Sequence, residues 1–111
     1  MVAKINVRQK GLAYERKIIN ELKELLGDDE IGSSRNLNRY MDSLKCDIVN
    51  VPMFNIQCKA MESTPTYHSI LKEMPSDAKM NVVFHKRNNK GEIVVMTKED
   101  FYRIFKLLIS D

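Results

Sequence analysis

From about Arg8 to Leu26 the apolar residues recur at helical spacing. Leu12, Ile19, Leu22 and Leu26 share one line, and Ile18 and Leu25 widen it. Lys17, Glu21, Lys23 and Glu24 fall mostly on the other side, and Gly27 stands where such a helix stops. A helix with one apolar side must bury it against another element, so the chain is bound to a layered fold from its outset.

The layer that receives the helix is legible further on. Cys46–Val51 and Phe54–Ala60 read as strands on either side of Pro52 and Met53, and so as a hairpin. Asn81–His85 and Glu92–Met96 form a second pair across Arg87–Gly91, a turn rich in residues that tolerate positive φ. Between the pairs, Thr64 and Pro65 open a helix with Tyr67, Ile70, Leu71 and Met74 on its apolar side, ended by Pro75. Thr97, with Asp100 three residues on, is an acidic capping box for a last helix striped by Phe101, Ile104, Phe105 and Leu108. Gly32–Ser43 has no period of either kind and reads as a loop, with a strand leading into it at Glu30–Ser34. A loop that long in a small domain is a place to look for function. The order predicts one α/β domain over residues 1–111, with a central mixed β-sheet flanked by helices.

Composition bounds the function classes. With 43% hydrophobic residues in 111, a small core is available. The net charge of +3 is compatible with a polyanionic partner without identifying one. The two cysteines, Cys46 and Cys58, make no disulfide framework, the N-terminus lacks the apolar core of a signal peptide, and no apolar run is long enough to span a bilayer. The expectation is a soluble protein of a reducing compartment, cytoplasmic or in the host-cell cytoplasm if virus-encoded, with no membrane association and no small-molecule cofactor.

Several residues break their own patterns. Glu15 lies inside the apolar line of the first helix, where a carboxylate is costly unless paired or bound to a metal. A structural salt bridge, or a place at the helix edge near solvent, would also account for it. Asp47 stands among strand residues, where aspartate is depleted, although a strand start at the sheet edge would accommodate it. Gln57 and Lys59 alternate with Ile56, Cys58 and Ala60 and so share a strand face, which would be unexceptional if that face were wet. Considered together, a short turn at Pro52 places Asp47 opposite Gln57 or Cys58, on strands about 4.8 Å apart. Glu15 joins them if its helix packs across that same face. Two carboxylates, an amide oxygen and an ammonium suit phosphodiester chemistry on a hard metal ion. Mg²⁺ prefers oxygen ligands, polarises a phosphoryl group and activates bound water, while an ammonium stabilises charge at phosphorus.

These residues resemble the PD-(D/E)XK nuclease superfamily, and within it the small Holliday junction resolvases of archaeal and viral type. The matching features are Gly11-Leu12-Ala13-Tyr14-Glu15-Arg16 on the first helix, Asp47 on a strand, Gln57-Cys58-Lys59 on the next, and the order of elements over nearly the whole chain. The resemblance implies a restriction-endonuclease-like αβββαβ core, dependence on Mg²⁺ or Mn²⁺, a homodimer, and paired nicks in four-way DNA junctions. It implies Glu15, Asp47 and Gln57 as metal ligands and Lys59 as a catalytic residue. Ser33 and Ser34, with Arg35 directly after them, would assist at the scissile phosphate. The chain departs from the family pattern at Gln57, where a neutral amide replaces an acid and removes a negative charge from the metal site. It departs again between Arg35 and Asp47, a segment richer in asparagine and aromatic residues than a minimal connector.

Lys4, Arg8, Lys10, Arg16 and Lys17 near the start, and Arg35, Arg39 and Lys45 along the loop, are expected to contact DNA phosphates and fix orientation without reading bases. Tyr40 is available to stack on unpaired bases, whereas Tyr67 is expected to pack. Cys46 and Cys58 are expected to face away from the site as small hydrophobes. Two other readings stay open: a different nuclease of the same superfamily, such as a duplex nickase or restriction-like enzyme, and a catalytically inactive DNA-binding module, to which Gln57 points.

Overall fold

A computed structural model describes residues 7–110. The elements are α1 (Val7–Leu26), β1 (Gly32–Ser33), α2 (Ser34–Leu37), α3 (Arg39–Ser43), β2 (Ile48–Val49), β3 (Phe54–Ala60), α4 (Tyr67–Glu73), β4 (Met80–Arg87), β5 (Gly91–Val95) and α5 (Lys98–Ile109). The strands form one mixed sheet in the order β1-β2-β3-β4-β5, parallel between β3 and β4 and antiparallel elsewhere. A parallel pair needs a crossover, and α4 supplies it. With the short helices α2 and α3 set aside, the chain runs α-β-β-β-α-β before β5 and α5, the order expected.

The core lies between α1 and one sheet face. Tyr14 and Ile18 of α1 meet Ile31, Ile48, Val51, Ile56 and Val82 there. The buried line of α1 is therefore rotated from the expected one. Tyr14, Glu15 and Ile18 are its buried residues, while Leu25 and Leu26 are 77% and 47% exposed. Periodicity shows that a helix has an apolar side, but the elements it lands on choose which flank of that side is buried. The stop at Gly27 is as expected: φ is +62°, and the Asp28 N–H reaches the Lys23 carbonyl at 3.2 Å in a Schellman-type closure.

The segment read as a loop contains two short helices instead. Asn38 builds both ends of the join: its N–H closes α2 on the Ser34 carbonyl (2.8 Å), and its side chain accepts from Met41 N (3.1 Å). Local capping of this kind leaves no hydrophobic period. The first hairpin has a shorter strand and a longer turn than expected. β2 keeps only Ile48 and Val49, and the turn runs from Asn50 to Met53 with φ of +68° and +70° at those two residues. α4 begins at Tyr67 with Thr66 at its N-cap, so Pro65 precedes the helix rather than starting it. The β4–β5 turn uses positive φ at Asn89 (+61°) and Gly91 (+94°), and the Thr97 side chain accepts from Asp100 N (3.1 Å), both as anticipated. The stripe of α5, however, is not buried against the sheet: Phe101, Phe105 and Leu108 are more than half exposed. Among the described residues, no helix is long and apolar enough to cross a membrane.

Candidate active site

Asp47, just before β2, ties β3 to the start of α2. Its N–H donates to the Ile56 carbonyl (2.7 Å), its carbonyl accepts from Ser34 N (2.9 Å), and its Oδ2 accepts from Cys58 N (2.8 Å). The Ile48–Ile56 register sets it across from Gln57, as the hairpin reading required. A side chain taking the place of a carbonyl in the ladder explains an aspartate here: it satisfies an N–H that the short β2 leaves without a partner.

Gln57 is buried on β3. Its amide nitrogen donates to the Lys45 carbonyl (3.1 Å) and its oxygen accepts from Lys59 Nζ (3.3 Å), the orientation that satisfies both groups. Gln57 and Lys59 thus share a face and touch. The expectation that α1 packs across that face is not met. α1 lies over Ile56, with Cys58 and Ala60 beside it, on the opposite side of β3. Glu15 therefore arrives from the other side of the sheet. It is 7% exposed, and its Oε1 accepts from Arg35 Nη2 at 3.0 Å. The buried carboxylate in the apolar line is thus ion-paired, one of the outcomes open from the sequence.

Asp47 links the two groups electrostatically. Burial pushes its carboxyl up to about 6. The Cys58 N–H opposes that rise, Glu15 adds to it, Lys59 opposes it and Asp42 adds to it. Asp42, unnoticed in the sequence, belongs to this cluster through Ser34, whose fully buried hydroxyl donates to Asp42 Oδ1 (3.1 Å). Ser33 is 8% exposed and its Oγ has no hydrogen-bond partner among the described residues. It lines a cleft of about 650 Å³ together with Glu15, Arg16, Asn20, Lys23 and Arg35. No pattern in the sequence pairs Ser34 with Asp42 or Glu15 with Arg35, because neither pair lies at a repeat spacing of one element.

Several expected phosphate contacts are engaged within the protein. Lys10 pairs with Glu62 (3.2 Å), Lys17 with Glu92 (2.8 Å) and Arg35 with Glu15. Arg8, Arg16, Arg39 and Lys45 are exposed, with Arg16 on the cleft. Lys4 lies outside the described residues. Cys46 is buried with its thiol on the Ile48 carbonyl, as a small hydrophobe would be. Cys58 points away from Gln57 and Lys59 but not from the whole cluster, since burial first, and then Asp47 and Glu15, push its thiol up. Tyr67 packs as expected, donating to His85 Nδ1 while His85 Nε2 donates to the Met61 carbonyl; this pins α4 to β4. Tyr40 is 71% exposed on α3.

Among the described residues, no set of three or more His, Cys, Asp and Glu side chains is arranged to hold a metal ion. Asp47 and Glu15 share a field, and carboxylate oxygens suit a hard divalent cation with water completing its shell, but the Gln57 oxygen, expected as a further ligand, faces Lys59 on the side of β3 away from α1. Burial first, and then Glu15 and Asp42, raise the Asp47 carboxyl, and a cation at this locus would oppose that rise. No family model, curated protein or solved structure matches the chain.

Proposed function

We propose that this protein is a metal-dependent, structure-selective DNA endonuclease, and specifically a Holliday junction resolvase that acts as a homodimer on four-way junctions. The observation that carries the reading is Asp47: a carboxyl pushed up to about 6 by burial, flanked by Glu15 on one side of β3 and Lys59 on the other. Asp47 and Glu15, which share a field, would hold Mg²⁺ or Mn²⁺, while Gln57, on the face of β3 away from α1, would orient Lys59. That ion would supply Lewis-acid polarisation of the phosphoryl group and an activated water. Lys59 would place its ammonium against the charge that builds on phosphorus. Ser33, with its unpaired hydroxyl, and Arg35 and Arg16, all on the cleft, would hold phosphate oxygens. Ser34 would act one step back, fixing Asp42 beside Asp47. Two symmetric nicks require two such sites, hence the homodimer.

The test uses a labelled four-way junction and a linear duplex of matching sequence, with Mg²⁺, with Mn²⁺ and with chelator. Symmetric, metal-dependent nicking of the junction is expected. Asp47→Asn should reduce it by at least about 10²- to 10³-fold while leaving junction binding nearly unchanged. Cutting of linear duplex at the same rate would move the assignment to another nuclease of this type. Binding without cutting under every metal condition would favour the inactive module. One feature of the site favours that second reading: the Gln57 amide is engaged by both Lys45 and Lys59.

A further inference from the structure

The sheet is covered unevenly. α1 packs over β1 and β3, and α4 packs on β4 from the opposite face, where Tyr67 meets His85. On the α1-side face, Val82 joins the core and Lys17 reaches Glu92, but beyond the end of α1 the sheet is left uncovered. It opens into a groove of about 390 Å³ lined by apolar residues alone, among them Leu25 and Leu26 of α1, Met53, Phe84, Val94 and Met96. Directly after Met96 the chain enters α5, which carries a second apolar surface. Phe101, Tyr102, Phe105, Leu107, Leu108 and Ile109 are 52–78% exposed. The first turns of α5 are held by the Thr97 cap and by Arg103, which reaches the Ala78 carbonyl. Arg103 ties the helix to the chain leading into β4, and Lys98 and Asp100 border a hollow against α4. The first turn of the helix thus faces α4 across that hollow, and no α5 residue lines the groove.

We infer that the groove of one copy receives α5 of a second copy, and that the exchange is reciprocal. Both unpartnered surfaces belong to the same chain, one concave and one convex, so a single two-fold contact covers both. The area is of the right size. Six residues of roughly 150–250 Å² each, exposed by half or more, leave on the order of 600 Å² of apolar helix surface, the upper end of what monomers expose. From two copies that is about 1,200 Å² of helix surface, the lower end of the range of stable protein interfaces. The groove lining holds no charged residue, and from Ile104 to Ile109 the helix carries only Lys106, so the contact buries few charges. The inference concerns the mode of association and stands whether or not the protein cleaves DNA.

The test is sedimentation equilibrium on the full chain, whose monomer mass is 12.9 kDa. The expected mass is twice that value. Leu108→Asp on the helix and Leu25→Glu on the groove, both at exposed positions, should each give monomers with unchanged circular dichroism. A mixture of the two variants retains one intact contact, between the native helix of the groove variant and the native groove of the helix variant. Mixing should therefore restore a dimer of reduced affinity. A monomeric native chain would overturn the inference. A Leu25→Glu protein as dimeric as the native chain would also overturn it, since α5 would then be pairing with α5.

Discussion

The two ends of the sheet contrast in what they leave unresolved. Around Asp47, at the β2–β3 end, the backbone groups are satisfied and the excess is charge: Glu15, Asp42 and Asp47 crowd one locus, answered by Arg35 and Lys59. At the β4–β5 end the excess is apolar surface, an open groove beside an uncovered helix. A monomer selected only for stability would carry neither, since crowded buried charge and exposed contiguous hydrophobes both cost free energy. The first is relieved by a cation, the second by another apolar surface. On the two proposals made above, the contrast separates a region that would hold a cation from one that would meet a second copy.

That contrast can be broken most forcefully in the core between them. Ile48 is fully buried, and Ile48→Ala should cost about 3 kcal/mol in chemical denaturation. Leu108→Ala, made on the monomeric Leu25→Glu background, should change stability by less than about 0.5 kcal/mol, because it removes no contact within the chain. If Leu108→Ala were as costly as Ile48→Ala, α5 would be packed within its own chain.

The charged end predicts a gain where function is lost. The Asp47 carboxyl sits at about 6 in the folded protein, above its ordinary value of 3.8, so the folded state holds that proton more tightly than the unfolded chain. Its contribution to stability is therefore complete below about pH 4 and is lost as pH rises through about 6. Asp47→Asn should be indistinguishable from the native protein near pH 4 and more stable by on the order of 2 kcal/mol at pH 7. Thermal melts across this window test the sign. Mg²⁺ should narrow the gap at pH 7 by stabilising the native protein alone. A variant less stable than the native protein at pH 7 would mean that the Cys58 hydrogen bond outweighs the cost of burying the charged carboxylate.

A smaller loss than at Ile48 belongs to the α5 cap. Thr97→Ala should cost about 1 kcal/mol, confined to the first turn of α5 and read as faster amide exchange there. Exchange that quickened equally through β4 and β5 would show that α5 supports the sheet after all.

Much of the architecture was legible because it is written in local terms. The stop at Gly27, the run from Phe54 to Ala60, the positive-φ turn before Gly91 and the Thr97 cap each depend on residues within a few positions of one another. α2 and α3 escaped notice because Asn38 organises them by capping, which has no period. The site was half legible. Asp47 opposite Gln57, and Gln57 beside Lys59, follow from hairpin register and strand alternation. The approach of Glu15 from the far side of β3, its pairing with Arg35, and the part played by Asp42 do not, since each joins separate elements.

The sequence by itself determined the longer elements, the Gly27 stop, the turn before Gly91 and the Thr97 cap, and the presence of acidic and basic residues where a plain core would have none, because those depend on interactions between near neighbours in the chain. Only the tertiary structure decided which flank of α1 is buried, which carboxylates share a field, and that α5 leaves its apolar stripe uncovered. Those outcomes rest on the twist and coverage of the sheet, which no spacing along the chain encodes.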